Sequence, residues 1–268
     1  MTHSEVKQVA EDAITTLISN LEQGHSDCLA RYLTAMSRFH GYSWNNVLLI
    51  CLQRATATHV AGFQTWHRFG RFVRKGEKGI VILAPLIGKK NSEDDSESEE
   101  KRLFGFRAAY VFDISQTDGE PLPEFATVQG DPTEHTARLK AFVTEQGIAL
   151  GYSDSIRPAL GVSRGGAITL ACGLSAAQEF STLAHELAHE KLHRTERRTQ
   201  TTKMIRETEA EAVAFVVCRA IGLDTNTASS DYISLYDGNR DTLTASLDFI
   251  QSTATAILRA ITPEDPLR

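Results

Sequence analysis

Two histidines and a glutamate stand where one metal ion can be gripped and one water activated. The run His185-Glu186-Leu187-Ala188-His189 sets two imidazoles four residues apart. On a helix that spacing puts both on one face, about 6 Å apart. Both rings can then reach one ion at about 2.1 Å. Glu186 is turned about 100° from His185, so it faces a metal-bound water instead of ligating. Zinc lowers the pKa of that water to about 7, and the carboxylate can take its proton. The chemistry expected of such a set is zinc-dependent hydrolysis of a peptide bond. The plain alternative is a pair of exposed histidines on an amphipathic helix, and the segments on either side weigh against it.

A third ligand must come from a later element. A histidine six residues after His189 would make the three-histidine pattern, but that position is Thr195. The next helical segment, RETEAEAVAFVV, holds Glu207, Glu209 and Glu211 beside an apolar stripe. Carboxylates bordering a buried stripe are costly unless something positive pairs with them. Glu207 is the expected ligand. Glu211 shares its face and is expected to accept a hydrogen bond from a ligand histidine and so orient it. Glu209 is expected to be a solvated helix carboxylate. His193, two turns beyond His185, can contact substrate or a ligand; an exposed histidine is the alternative. The run GGAITL (165–170) before the metal helix reads as a sheet edge along the cleft, able to pair with an extended peptide.

These residues need elements to hold them. Helical spacing predicts helices over about 4–23, 26–39 and from Ser43, a plausible N-cap, with a short one over 61–70. The period then changes. IVILAPLI and FGFRAAYVFDI are strands by their β-branched and aromatic content, joined by a polar segment. That segment packs six carboxylates into Glu93–Glu100 and reads as the solvated tip of a long hairpin. Ser115–Phe125 is rich in turn formers and is the expected linker. Further helices are expected over 133–146, from Ser175, over 202–222 and over 241–261, with a short strand near Gly151. The expected class is α+β, in two domains: 1–125, helices against an antiparallel sheet, and 126–268, carrying the metal site.

The first domain mixes aromatics and bases. Trp66, Phe69 and Phe72 interleave with Arg68, Arg71, Arg74 and Lys75. Cations that track phosphates and rings that stack bases bind single-stranded nucleic acid in this way. On spacing alone, Trp66 and Phe63 can equally be core residues. Tyr42, Asn45, Asn46 and Gln53 flank a helix start as caps or contacts.

Both halves resemble one known family. YSWNN, GFQTW and GRFVRKGEKGIVILAP, within 39–85, are similar to the N-terminal single-stranded-DNA-binding domain of the ArdC antirestriction proteins. GGAITL, LAHELAHEKLH and ETEAEAVAFVVCRAIGLD, within 161–224, resemble the ArdC metallopeptidase domain and the wider ImmA/IrrE peptidases. The resemblance implies a zincin-like C-terminal domain with His185, His189 and Glu207 on zinc and Glu186 as base. It also implies DNA contacts at Tyr42, Ser43, Asn45, Asn46, Trp66, Arg71, Arg74, Lys75 and Lys78. The acidic segment at 91–100 is outside the family pattern.

Composition bounds the rest. In 268 residues, 41% are hydrophobic and 23% charged, as in globular proteins. A net charge of −6 excludes a generally basic coat, so nucleic-acid binding must be local. Four separated cysteines make no CxxC pair and no disulfide framework. There is no apolar run long enough for a membrane span, and the N-terminus lacks the form of a signal peptide, so the expected location is the cytoplasm. The expected function is a zinc metalloendopeptidase brought to a protein substrate by single-stranded DNA, in an antirestriction or mobile-element setting. Two rivals stand beside it: a non-proteolytic coat for single-stranded DNA, and an ImmA-type peptidase that cleaves a repressor.

Overall fold

The computed structural model describes residues 3–23, 27–89, 101–120, 132–223 and 239–262. Three helices come first: α1 (His3–Glu22), α2 (Asp27–Arg38) and α3 (Trp44–Gln53). Each has a clear reason to form. α1 buries Ala10, Ala13, Ile14, Leu17 and Leu21, positions three and four apart on one face. α2 buries Leu29, Tyr32, Leu33 and Met36 in the same way, and the Tyr32 hydroxyl donates to the Trp44 carbonyl at 2.8 Å, joining α2 to the start of α3. Short pieces follow: β1 (Val60–Gly62), α4 (Phe63–Arg68) and β2 (Arg71–Val73). Then come β3 (Ile80–Lys89), β4 (Lys101–Asp113) and β5 (Thr117–Gly119). The sheet order is β1-β4-β3, antiparallel throughout, with β2 and β5 as a separate pair.

The long hairpin expected from IVILAPLI and FGFRAAYVFDI is therefore present as β3 and β4. Its acidic connection, 90–100, lies outside the described residues. Edge strand β3 is secured at Val81, whose N–H and carbonyl both bond the Gln53 side-chain amide at 2.9 Å. The expected linker from Ser115 does not begin there. Asp113 caps a 3-10 turn over 114–116, Gln116 bonds back to it, and β5 then pairs with β2. Turn-forming residues were spent on a capped turn and a two-stranded ribbon, which composition does not distinguish from a linker.

The later elements are α5 (Thr133–Glu145), β6 (Ala149–Tyr152), β7 (Gly161–Ser163), β8 (Ala167–Leu170), α6 (Ala176–Leu192), α7 (Thr195–Gln200), α8 (Lys203–Ala220) and α9 (Arg240–Ile261). β8 lies between β6, to which it is parallel, and β7, to which it is antiparallel. So 167–170 is the central strand, and β7 is the edge. The edge expected at GGAITL moves one strand back, because β7 is three residues long and carries no period-two signal of its own.

α8 packs against α6, α9 and α2, and α5 against α6 and α9. Residues Ala212 to Cys218 of α8 are all buried. A helix covered on so many sides has little solvent face, which bears directly on its glutamates. The chain groups into two compact units, Met1–Thr16 with Leu48–Leu122, and Leu17–Val47 with Pro123–Pro266. The second unit thus takes in α2 and the start of α3, ahead of residue 126, where the sequence places the start of the later domain. No helix among the described residues is long and apolar enough to cross a membrane.

Candidate metal centre

α6 begins at a capping box. Ser175 Oγ accepts from the Gln178 N–H at 3.3 Å, and Gln178 Oε1 accepts from the Ser175 N–H at 3.2 Å. Three turns on, the helix presents His185 and His189 side by side, with their Nε2 atoms 3.1 Å apart. α8 supplies Glu207, whose Oε2 lies 3.5 Å from His189 Nε2 and 3.7 Å from His185 Nε2. Donors at about 2.1 Å from a tetrahedral ion stand about 3.4 Å from one another. The three atoms already have that spacing, so the set can hold a metal ion.

Their electrostatics follow from crowding. Burial works to lower the pKa of His185, but the Glu207 and Glu211 carboxylates win and raise it to about 9. His189 is pushed down to about 4 by burial and by the charge on His185. Glu207 is held at about 2, chiefly by its bond to His185. At neutral pH the positive charge of the pair is thus favoured on His185. Glu211 Oε2 stands 3.5 Å from His185 Nδ1, the side of that ring away from Glu207 and His189.

Glu186 is buried beside the cluster. Burial raises its pKa, against the pull of the His185 charge. Room for it comes from Gly161 on β7. A Cβ there would meet Glu186 Cγ at 2.7 Å and Thr182 Cγ2 at 2.6 Å. Hydrogen bonds from Ala171 N to Leu160 O and from Arg164 N to Ala167 O fix the β7–β8 register. By antiparallel alternation, Gly161 and Ser163 then turn their backbone groups to the open edge. A cleft of about 280 Å³ runs there, between Gly161–Ser163 and the His185, Glu186, His189 and Glu207 side chains, with Arg198, Lys203 and Arg206 also lining it.

The β7–β8 turn is tied down by a residue the sequence reading passed over. Glu190, buried on α6, accepts from the N–H groups of Gly165 and Gly166, both at 2.7 Å, and from Arg194 Nε at 3.0 Å. Gly165 and Gly166 have φ of 69° and 100°, which aims two consecutive N–H groups at one carboxylate. These bonds hold the Glu190 carboxyl below its ordinary range against its burial.

Glu209 corrects an expectation outright. It is not solvated but fully buried, because α9 covers the face of α8 on which it lies. It accepts from Arg197 through both terminal guanidinium nitrogens, from Ser246 Oγ at 2.6 Å, and from His193 Nε2 at 2.9 Å. His193 is buried too, and its Nδ1 lies 3.0 Å from His189 Nδ1. One sequence signal was available: Glu209 stands at the head of the apolar run Ala210–Cys218, which only Glu211 interrupts. Arg197 and Ser246 gave none, since only the tertiary fold brings them there.

The residues expected on DNA divide. Trp66 is a core residue, not a stacking platform: it is 0% exposed and its Nε1–H donates to the Phe112 carbonyl at 2.8 Å. Arg71 spends its guanidinium on β5, with Nε to Thr117 Oγ1 at 2.9 Å and Nη2 to the Thr117 carbonyl at 3.0 Å. Arg74 pairs with Glu77 at 2.9 Å and Asp118 at 3.2 Å, contacts that raise its pKa. Lys75 and Lys78 are exposed. Tyr42 stands edge-on to Phe39, Ser43 Oγ accepts from the Asn46 N–H at 3.4 Å, and Asn46 is buried. Asn45 Oδ1 is buried without a hydrogen-bond partner among the described residues.

Fold and site together define an α+β chain with a His-His-Glu cluster gathered from two helices beside a short edge strand. Residues 7–112 match the family model of the N-terminal domain of anti-restriction factor ArdC. Residues 7–112 are thus similar to the ArdC N-terminal domain, as the motifs within 39–85 led one to expect. Crystal structures of the antirestriction ArdC protein from plasmid R388 share its fold. The metal-free form is 19% identical with a TM-score of 0.57, over 94% of this chain and 97% of that one. The Mn(II)-bound form is 20% identical with a TM-score of 0.55, over 96% and 99%. An uncharacterized protein of Bacillus anthracis is 24% identical over 283 residues, covering 89% of this chain and 48% of that protein. The chain thus spans about half the length of the curated relative it matches.

Proposed function

We propose that the chain is a metal-dependent peptidase that acts in an antirestriction setting, with single-stranded DNA as a partner. The observation that carries the reading is the buried Glu186 carboxylate set against a His185, His189, Glu207 cluster of tetrahedral spacing. The Mn(II)-bound form of the R388 protein supports a metal in a chain of this fold. Two imidazoles and one carboxylate suit zinc in a catalytic site, with a fourth position left for water. A bound ion would polarise the scissile carbonyl and acidify that water.

The chain's own residues do the rest. The outward backbone groups of Gly161 and the Ser163 carbonyl bind an extended peptide as an added strand, while the Ser163 N–H is taken up by the Glu186 carboxylate. Glu186, made more basic by burial, takes a proton from the attacking water and delivers it to the leaving amine. The exposed Lys75 and Lys78 track the phosphates of the DNA, without help from Trp66. The match of residues 7–112 to the ArdC N-terminal domain also favours a second reading, in which DNA coating protects without cleavage.

The test compares wild type with Glu186→Gln, both shown to bind metal. New N-termini are counted in a mixture of unfolded proteins, and protection from restriction is scored in cells. Cleavage and protection should both fall in the variant. Equal cleavage by the two proteins refutes the mechanism; protection that survives without cleavage selects the coating reading.

A further inference from the structure

We propose that Glu209 and His193, braced by Arg197 and Ser246, form a buried relay that fixes the tautomer of His189 so that its Nε2 lone pair faces the metal. The inference rests on His185, His189 and Glu207 being the metal ligands. His193 and Glu209 are positioning residues in this account, acting through His189.

The argument runs inward from the carboxylate. Glu209 Oε1 accepts from Arg197 Nη2 and Ser246 Oγ, both at 2.6 Å. Its Oε2 accepts from Arg197 Nη1 at 2.7 Å and from His193 Nε2 at 2.9 Å. Four contacts fill the roughly four acceptor sites of an ionised carboxylate, which has no proton to give. The proton at the last contact therefore sits on His193 Nε2. A neutral imidazole protonated there has a lone pair on Nδ1. That atom lies 3.0 Å from His189 Nδ1, so the proton between the rings belongs to His189. The Nε2 of His189 is left bare, and it is the atom 3.5 Å from Glu207 Oε2 and 3.1 Å from His185 Nε2.

Four elements build this path: His193 caps α6, Arg197 lies on α7, Glu209 on α8 and Ser246 on α9. The side chains of Glu209 and His193 are 0% exposed, so bulk water does not compete for their bonds. A buried carboxylate is costly unless paired and hydrogen-bonded, and Arg197 supplies the charge. Metal-bound histidines usually hold their second nitrogen on a carboxylate or carbonyl. His185 has Glu211 near that position, at 3.5 Å. His189 reaches its carboxylate only through a second imidazole. The relay thus gives a role to a buried histidine that stands outside the His185, His189, Glu207 set.

Two measurements test the relay in the full-length chain. Long-range proton–nitrogen correlation spectra, recorded without metal, should show His189 protonated on Nδ1 and His193 on Nε2. His189 protonated on Nε2 overturns the proposal. The second is Zn(II) affinity by chelator competition. His193→Asn keeps an acceptor near the Nδ1 position, whereas His193→Gln keeps the donor to Glu209 and loses the acceptor. The Gln variant should bind Zn(II) about tenfold or more weaker than the Asn variant, at equal melting temperature. Equal affinities, or the reverse order, mean that the ring only fills space and satisfies Glu209. If His189→Ala binds Zn(II) as well as wild type, the ligand assignment fails instead, and the nitrogen spectra still decide the tautomer.

Discussion

Metal affinity should depend on pH through one proton, the one on His185. That ring has a pKa of about 9 when the site carries no ion, whereas His189 titrates at about 4 and Glu207 at about 2. At neutral pH, His189 and Glu207 are therefore ready to ligate, and His185 must first lose its proton. The sign follows: affinity rises with pH and levels off above about 9. Each pH unit below that point should weaken binding about tenfold, so at pH 7 the penalty is about 100-fold, or about 3 kcal/mol. Calorimetric titration with Zn(II) in two buffers of different ionisation heat should count about one proton released at pH 7. Glu211→Gln removes one of the carboxylates that raise this pKa and should move the plateau to lower pH. A dissociation constant that stays flat between pH 6 and 8, with no proton released, would refute the reasoning.

Three further outcomes follow from the geometry. Trp66→Ala should destabilise the chain by about 3–5 kcal/mol in chemical denaturation, as for a large core side chain, while leaving the salt slope of single-stranded DNA binding unchanged. Lys75→Ala and Lys78→Ala should each reduce that slope by about one, at unchanged stability. Gly161→Ala forces a methyl against Thr182 and Glu186 and should cost about 1–3 kcal/mol; peptide cleavage should fall while Zn(II) binding persists, since Gly161 touches no ligand.

That His185, His189 and Glu207 come together was legible because helical spacing is a local property. His185 and His189 share a face on any helix, and Glu207 follows once a second helix is required to close the site. Glu209 was misread for the complementary reason. Its burial depends on α9, and a periodic pattern cannot say which face of α8 a distant helix will cover. Trp66 shows the same limit, since a tryptophan among arginines looks alike whether its ring stacks on a base or its N–H caps the Phe112 carbonyl. Arg71 and Arg74 read as free cations until β5 appears beside them, and β5 is three residues hidden in what looks like a linker. The sheet edge at Gly161 was missed because strand order in a sheet is not written in any one strand.

X-ray absorption on the purified, metal-loaded chain tests the central claim most directly. The account predicts one metal ion per chain, held by two imidazole nitrogens and carboxylate or water oxygen at about 2.0–2.2 Å, and lost when His185, His189 or Glu207 is replaced by alanine. A chain that takes up no ion, or one that keeps it undiminished in His189→Ala, would contradict the account.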